Sequence, residues 1–201
     1  MAVTRERLSQ GMTYEAYVAS MTRNRERLEQ NEAKATFTAD DLAFFRSFPA
    51  PVDVLVLGED WCGDVIADLP ILAKLAKESE KLRLHIFPRD QNDDLMSQYL
   101  NQGQFKSIPV FVFFDQNMRE LGRYIERPPA FTTLRQQRRQ QLFAQHPEAG
   151  EASAAVDTLS EEQRLARQAL TSQMEAELGP ERIRMTVHDI RQELSAVGSA
   201  R

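Results

Sequence analysis

Cysteine and tryptophan are the rarest residues in this chain of 201, with one of each, and there are only three histidines. One cysteine cannot close an internal disulfide, which suits a reducing compartment. His85, His146 and His188 are scattered, which argues against a zinc or iron site made from protein ligands, and no metal is expected. No Gly-rich phosphate loop and no Gly-x-Ser-x-Gly elbow is present, so the motifs for cradling a nucleotide phosphate or activating a serine are missing. The apolar runs fall far short of the ~20 residues that span a bilayer, so no membrane partner is expected. Met1 to Gln10 carries Arg5, Glu6 and Arg7 without an apolar core, unlike a signal peptide. The expectation is a cytoplasmic protein. Excess positive charge is also missing: the formal net charge is -5, which gives no reason to expect nucleic acid. The run Arg135 to Arg139 holds three arginines and no acid, and reads as a solvated helix face.

What is present is ordinary for a globular protein, with 42% hydrophobic and 27% charged residues. The length suggests one domain with an appendage, long enough to bury a core. Thr13 can cap a helix that places Tyr14, Tyr17, Val18, Met21 and Leu28 on one face. Thr38-Ala39-Asp40-Asp41 resembles a capping box, and opens a short helix with Leu42, Phe45 and Phe48 inward. Pro49 and Pro51 end it. Strands are expected at 52–57, 82–87, 109–114 and 119–125, and helices at 63–79, 92–102 and 130–145. Asp115-Gln116-Asn117 between the last two strands is hairpin chemistry. The pattern predicts an α/β fold with a mixed central sheet flanked by helices. Residues 1–50 form an N-terminal helical extension in this reading, 51–146 the main domain, and 147–201 a linker with a C-terminal helical hairpin. Gly179-Pro180 is expected to end one helix of that hairpin and start the next. Ile183, Val187, Ile190, Leu194 and Val197 recur at spacings of 4, 3, 4 and 3, a short heptad seam. It either folds onto its own domain or serves as the arm of a homodimer.

The chemistry centres on Glu59-Asp60-Trp61-Cys62-Gly63-Asp64-Val65, where a strand turns into a helix. The first amides of a helix lack intrahelical partners, and the macrodipole is positive there. Both favour a thiolate. Glu59, Asp60, Asp64 and Asp68 oppose it, because like charges disfavour the anion. A lone cysteine is also often a small core residue. Arg127 and Arg89 are the candidate thiolate-stabilising cations, with ion pairing to the acidic run as the competing role for both.

The order strand, Trp61-Cys62-Gly63-x-x, helix resembles the active-site turn of the thioredoxin family. Pro70-Ile71-Leu72 matches the kinked helix that follows. Phe87-Pro88-Arg89-Asp90-Gln91-Asn92 is similar to the end of the family's central strand, and Ser107-Ile108-Pro109-Val110-Phe111 to its cis-proline segment. The likeness covers Pro51 to Arg127 and resembles thioredoxin-like bacterial proteins, not thioredoxin itself. It implies a thioredoxin-like fold with Cys62 as the catalytic residue and a substrate groove of Trp61, Gly63, Asp64, Ile108 and Pro109. Two departures matter. The second cysteine of the family falls at Val65, and its buried acid at Val56. The resemblance then implies a thiol-disulfide oxidoreductase acting through one cysteine by mixed-disulfide chemistry. Its partner would be a protein or low-molecular-weight thiol or disulfide, with glutathione as a candidate co-substrate and no bound cofactor. The other reading is a non-catalytic binding module that holds a peptide or protein partner in the same groove.

Overall fold

Val52 to Gly58 is buried at every position, as expected of a strand covered on both faces. This strand, β1 (Val52–Gly58), lies inside a four-stranded sheet with β2 (Leu82–Pro88), β3 (Val110–Phe114) and β4 (Glu120–Ile125), in the order β2-β1-β3-β4. β1 runs parallel to β2 and antiparallel to β3, and β3 and β4 form an antiparallel hairpin. The computed structural model describes residues 3–198. The helices are α1 (Arg5–Leu8), α2 (Tyr14–Ser20), α3 (Arg25–Lys34), α4 (Ala39–Arg46), α5 (Gly63–Ser79), α6 (Asp93–Met96), α7 (Pro129–Gln145) and α8 (Glu161–Gly198). The expected α/β architecture, a mixed sheet flanked by helices, is what the chain adopts.

Two compact units divide the chain. One comprises 1–127 with 186–201, and the other 128–185. These divisions fall elsewhere than positions 50 and 146, where the sequence suggested boundaries.

In the first unit, α3 and α4 pack on α5, and α2 on β2. The capping box forms: Asp41 N donates to Thr38 Oγ1 at 3.1 Å, and Thr38 N donates to Asp41 Oδ2 at 3.1 Å. Phe45 is fully buried, while Leu42 and Phe48 are half-buried. The helix expected from Thr13 through Leu28 is instead two helices. Met21 is extended and Asn24 is left-handed at φ 56°. The chain leaves the helix because Asp60, far along the sequence, supplies the acceptor for the amides of Thr22 and Arg23.

The helix expected over 92–102 shrinks to Asp93–Met96. Asn101 and Phe105 pair as an isolated bridge, with Gln102 and Gly103 at φ 52° and 71° between them. Turn chemistry at Asn101-Gln102-Gly103 overrides the helical periodicity.

In the second unit a helical hairpin does form, with different arms from those expected. α7 and the 161–185 part of α8 share a core of Phe131, Leu142, Met174 and Leu178. Arg135 pairs with Glu175 at 2.9 Å, and Arg138 with Glu177 at 2.6 Å. The expected linker is packed: Ala149 is fully buried, and Arg167 donates to the carbonyls of Glu151 and Ala154. The break expected at Gly179-Pro180 is absent, and α8 runs through Pro180. An interior proline costs a helix about 3 kcal/mol. Buried Met174 and Leu178 before it, and Val187, Ile190 and Leu194 after it, offset that cost.

Of the heptad seam, Val187, Ile190 and Leu194 are buried within one chain and Ile183 is half-buried. The side chain of Val197 lies outside the described residues. Among those residues, no helix is long and apolar enough to cross a membrane.

Candidate functional site

Three segments of the first unit meet at the site: the turn from β1 into α5, the approach to β3, and the end of β4. Cys62 occupies the N-cap position of α5 with extended backbone, φ -84° and ψ 119°. Its side chain is half-buried. It makes no cap hydrogen bond of its own, and instead the thiol donates to the Ile108 carbonyl, Sγ to O 3.6 Å. Ile108 and Pro109 are buried, and the bond between them is cis. The Pro109 carbonyl accepts from the Glu126 N–H at 2.8 Å.

Burial pushes the Cys62 thiol above its usual range. The N–H groups of Val65 and Asp64 at the helix start pull it down, the Asp64 carboxylate pushes it up again, and Arg89 pulls it down. Burial wins.

Trp61 is 45% exposed and forms a wall beside the sulfur's turn, with the Arg89 guanidinium over its ring at 5.0 Å. Arg89 also bonds Asp90 at 2.6 Å and the Lys106 carbonyl at 3.0 Å. Gly63 faces open space, so the turn is accessible there. Asp64 holds Arg127 at 3.3 Å, and Arg127 also bonds Glu126 at 2.7 Å. Both arginines are engaged by carboxylates, and Arg89 in addition exerts a weak downward pull on the thiol. Val65 is fully buried, and a Cβ on Gly58 would lie 3.0 Å from its Cγ1. The residue in the second-cysteine place is therefore packed tightly against the end of β1. Val56 is fully buried in that strand.

Periodicity gave no sign of two participants. Asp60 ties the N-terminal helices to the turn. Its carboxylate accepts from Thr22 N at 2.8 Å, Thr22 Oγ1 at 3.1 Å and Arg23 N at 3.0 Å, and its carbonyl accepts from Asn24 at 2.8 Å. Burial raises the Asp60 carboxyl, but these Thr22 and Arg23 hydrogen bonds outweigh it and hold the group below the usual range. Tyr17 of α2 is the second. In the sequence it is one member of a helical stripe, and in the fold its buried hydroxyl comes within electrostatic reach of Asp60, Glu59 and Cys62. Among the described residues no group of three or more His, Cys, Asp or Glu side chains is arranged to hold a metal ion.

A β2-β1-β3-β4 mixed sheet, with a cysteine starting the helix after β1 and a proline leading into β3 beside it, defines a thioredoxin-fold protein. The family model described as Thioredoxin matches residues 11–139, and the chain belongs to that family. No curated protein matches it. Among solved structures it is similar to a protein of unknown function from Pseudomonas aeruginosa, with 16% identity, TM-score 0.64, and coverage of 96% of this chain and 98% of that one. It is also similar to an HIV epitope-scaffold, with 15% identity, TM-score 0.64, and coverage of 97% and 99%. At such identities the likeness shows the fold alone.

Proposed function

We propose that the protein is a thiol-disulfide oxidoreductase working through Cys62 alone. The observation that carries this is a half-buried thiol at the start of α5, 3.6 Å from the Ile108 carbonyl and next to exposed Trp61 and open Gly63. The Cys62 thiolate attacks one sulfur of a disulfide. A new S–S bond forms to Cys62, the old one breaks, and the departing sulfur takes up a proton. With valine at 65, a second thiol from solution must attack the mixed disulfide; it releases Cys62 and leaves bonded to the first partner. Glutathione fits both roles, and the groove of Trp61, Gly63, Asp64, Ile108 and Pro109 would hold the partner during exchange.

A specific observation favours a second reading. Cys62 is half-buried, and that burial holds its thiol above the usual range, which disfavours the thiolate. A groove with a reluctant sulfur suits a module that binds a peptide or partner without chemistry.

Treatment with oxidised glutathione followed by intact-mass measurement separates the two. The expected result is one glutathione per chain, absent in Cys62→Ser and removed by excess reduced glutathione with catalytic turnover. An adduct that forms but never turns over, or no adduct, overturns the catalytic reading and leaves the binding module.

A further inference from the structure

Tyr17 is 3% exposed, and its hydroxyl finds no hydrogen-bond partner among the described residues. A buried hydroxyl left unpaired is costly and calls for a reason. Tyr14, three residues earlier on α2, shows the ordinary arrangement: its hydroxyl donates to Glu32 at 2.9 Å. Asp60, Glu59 and Cys62 are all within electrostatic reach of the buried Tyr17 hydroxyl. α2 is fastened at both ends, at the turn by its C-terminal side and on the sheet by its N-terminal side. Thr22 and Arg23 donate to Asp60 beyond its C-terminus, and Met12 pairs with Ile86 of β2 before its N-terminus.

Burial and the two carboxylates keep the phenol protonated, so it remains a donor wherever a thiol can ionise. Glu59 already accepts from the Asp90 amide at 2.7 Å, and Asp60 accepts from Thr22 and Arg23. Cys62 differs from both. As a thiol it donates to Ile108 and needs nothing more. As a thiolate it becomes an acceptor that the Ile108 carbonyl repels.

We propose that Tyr17 is a second catalytic residue of the Cys62 site, a donor held in reserve whose hydroxyl turns to the sulfur when the thiol loses its proton. The inference rests on Cys62 being the working group. Its test needs no disulfide substrate, and so can fail independently of the oxidoreductase reading.

The test is the rate of iodoacetamide modification against pH, read by mass on the chain's one cysteine. Tyr17→Phe should move the midpoint up by about one pH unit and slow modification near pH 7 about tenfold, equivalent to about 1.4 kcal/mol. Tyr14→Phe, on the same helix, should leave the midpoint where it is. Tyr17→Phe should also melt no lower than wild type, since it removes an unpaired buried hydroxyl. Coincident midpoints for wild type and Tyr17→Phe overturn the proposal. If Tyr17→Phe folds poorly, wild-type chain labelled with 3-fluorotyrosine decides. The Tyr17 resonance must shift through the Cys62 titration, and a resonance indifferent to it overturns the assignment.

Discussion

At the scale of single residues, opposing influences around one sulfur atom set how readily it ionises. Helix-start amides favour the thiolate by about 1 kcal/mol or less at an exposed site. Cys62 is half-buried, and burial exceeds that help. The sign follows directly. The native thiol ionises at higher pH than the unfolded one, so the group contributes stability below the unfolded value near 8.5 and loses it as pH rises through the native value. Iodoacetamide should therefore modify urea-unfolded protein faster than native protein at about pH 8. Faster modification of the native form would mean that the cations and amides prevail.

Val65 sets a second expectation at this scale. It is buried on the first turn of α5, three residues from Cys62. Wild type should show little dithiol-type insulin reduction with dithiothreitol. Val65→Cys should lose both free thiols under oxidant, because Cα atoms so placed fall within the ~4.4–6.8 Å that a disulfide needs. Two thiols that survive oxidation would contradict the geometry of the turn.

At the scale of elements, the departures from periodicity share one cause. Local signals set where helices can form, and distant partners set where they stop. α2 and α3 separate because Asp60 takes the intervening amides. α8 continues through Pro180 because apolar side chains on both sides of it are buried. Pro180 is itself exposed, so its ring contributes little packing to offset the hydrogen bond it removes. Pro180→Ala should raise the midpoint of urea unfolding, by roughly 1–3 kcal/mol, given the ~3 kcal/mol cost of an interior proline. An unchanged or lowered midpoint would show that α8 needs the proline's distortion.

At the scale of the whole molecule, the sheet-bearing unit is discontinuous in sequence. The segment 186–198 belongs with residues before Arg127. Thr186 donates to the fully buried Asp68 at 3.3 Å, and Tyr124 donates to it at 3.0 Å. Arg191 bonds Asp41 at 2.6 Å and lies over the Phe44 ring at 5.1 Å. Gly122 admits the backbone of Glu193, whose carbonyl oxygen would stand 3.0 Å from a Cβ there. A chain ended after Met185 loses the burial of Val187, Ile190 and Leu194. At about 1.5–3 kcal/mol for each side chain, that loss rivals the ~5–15 kcal/mol of a whole domain. The shortened chain should bind a hydrophobic dye and lose its cooperative melt. A sharp melt near the wild-type temperature would show that the segment is dispensable.

Much of this was legible before any coordinates. Buried β1, the α5 start at Gly63, the Asp115 hairpin, the Thr38 capping box and the cysteine at a strand-to-helix turn all rest on short-range chemistry. Neighbouring residues determine apolar runs, caps and turn formers, so these gave the mixed α/β sheet, and the thioredoxin-like fold followed from the resemblance of the Trp61-Cys62-Gly63 turn and its companion segments. Tertiary structure alone decided what Asp60 binds and that 186–198 completes the sheet unit. The contacts involved join residues 36 to 150 positions apart. Nothing in a local pattern encodes them. A carboxylate reads identically in sequence whether it meets water or the backbone amides of a distant loop, and only the packed chain sets that difference.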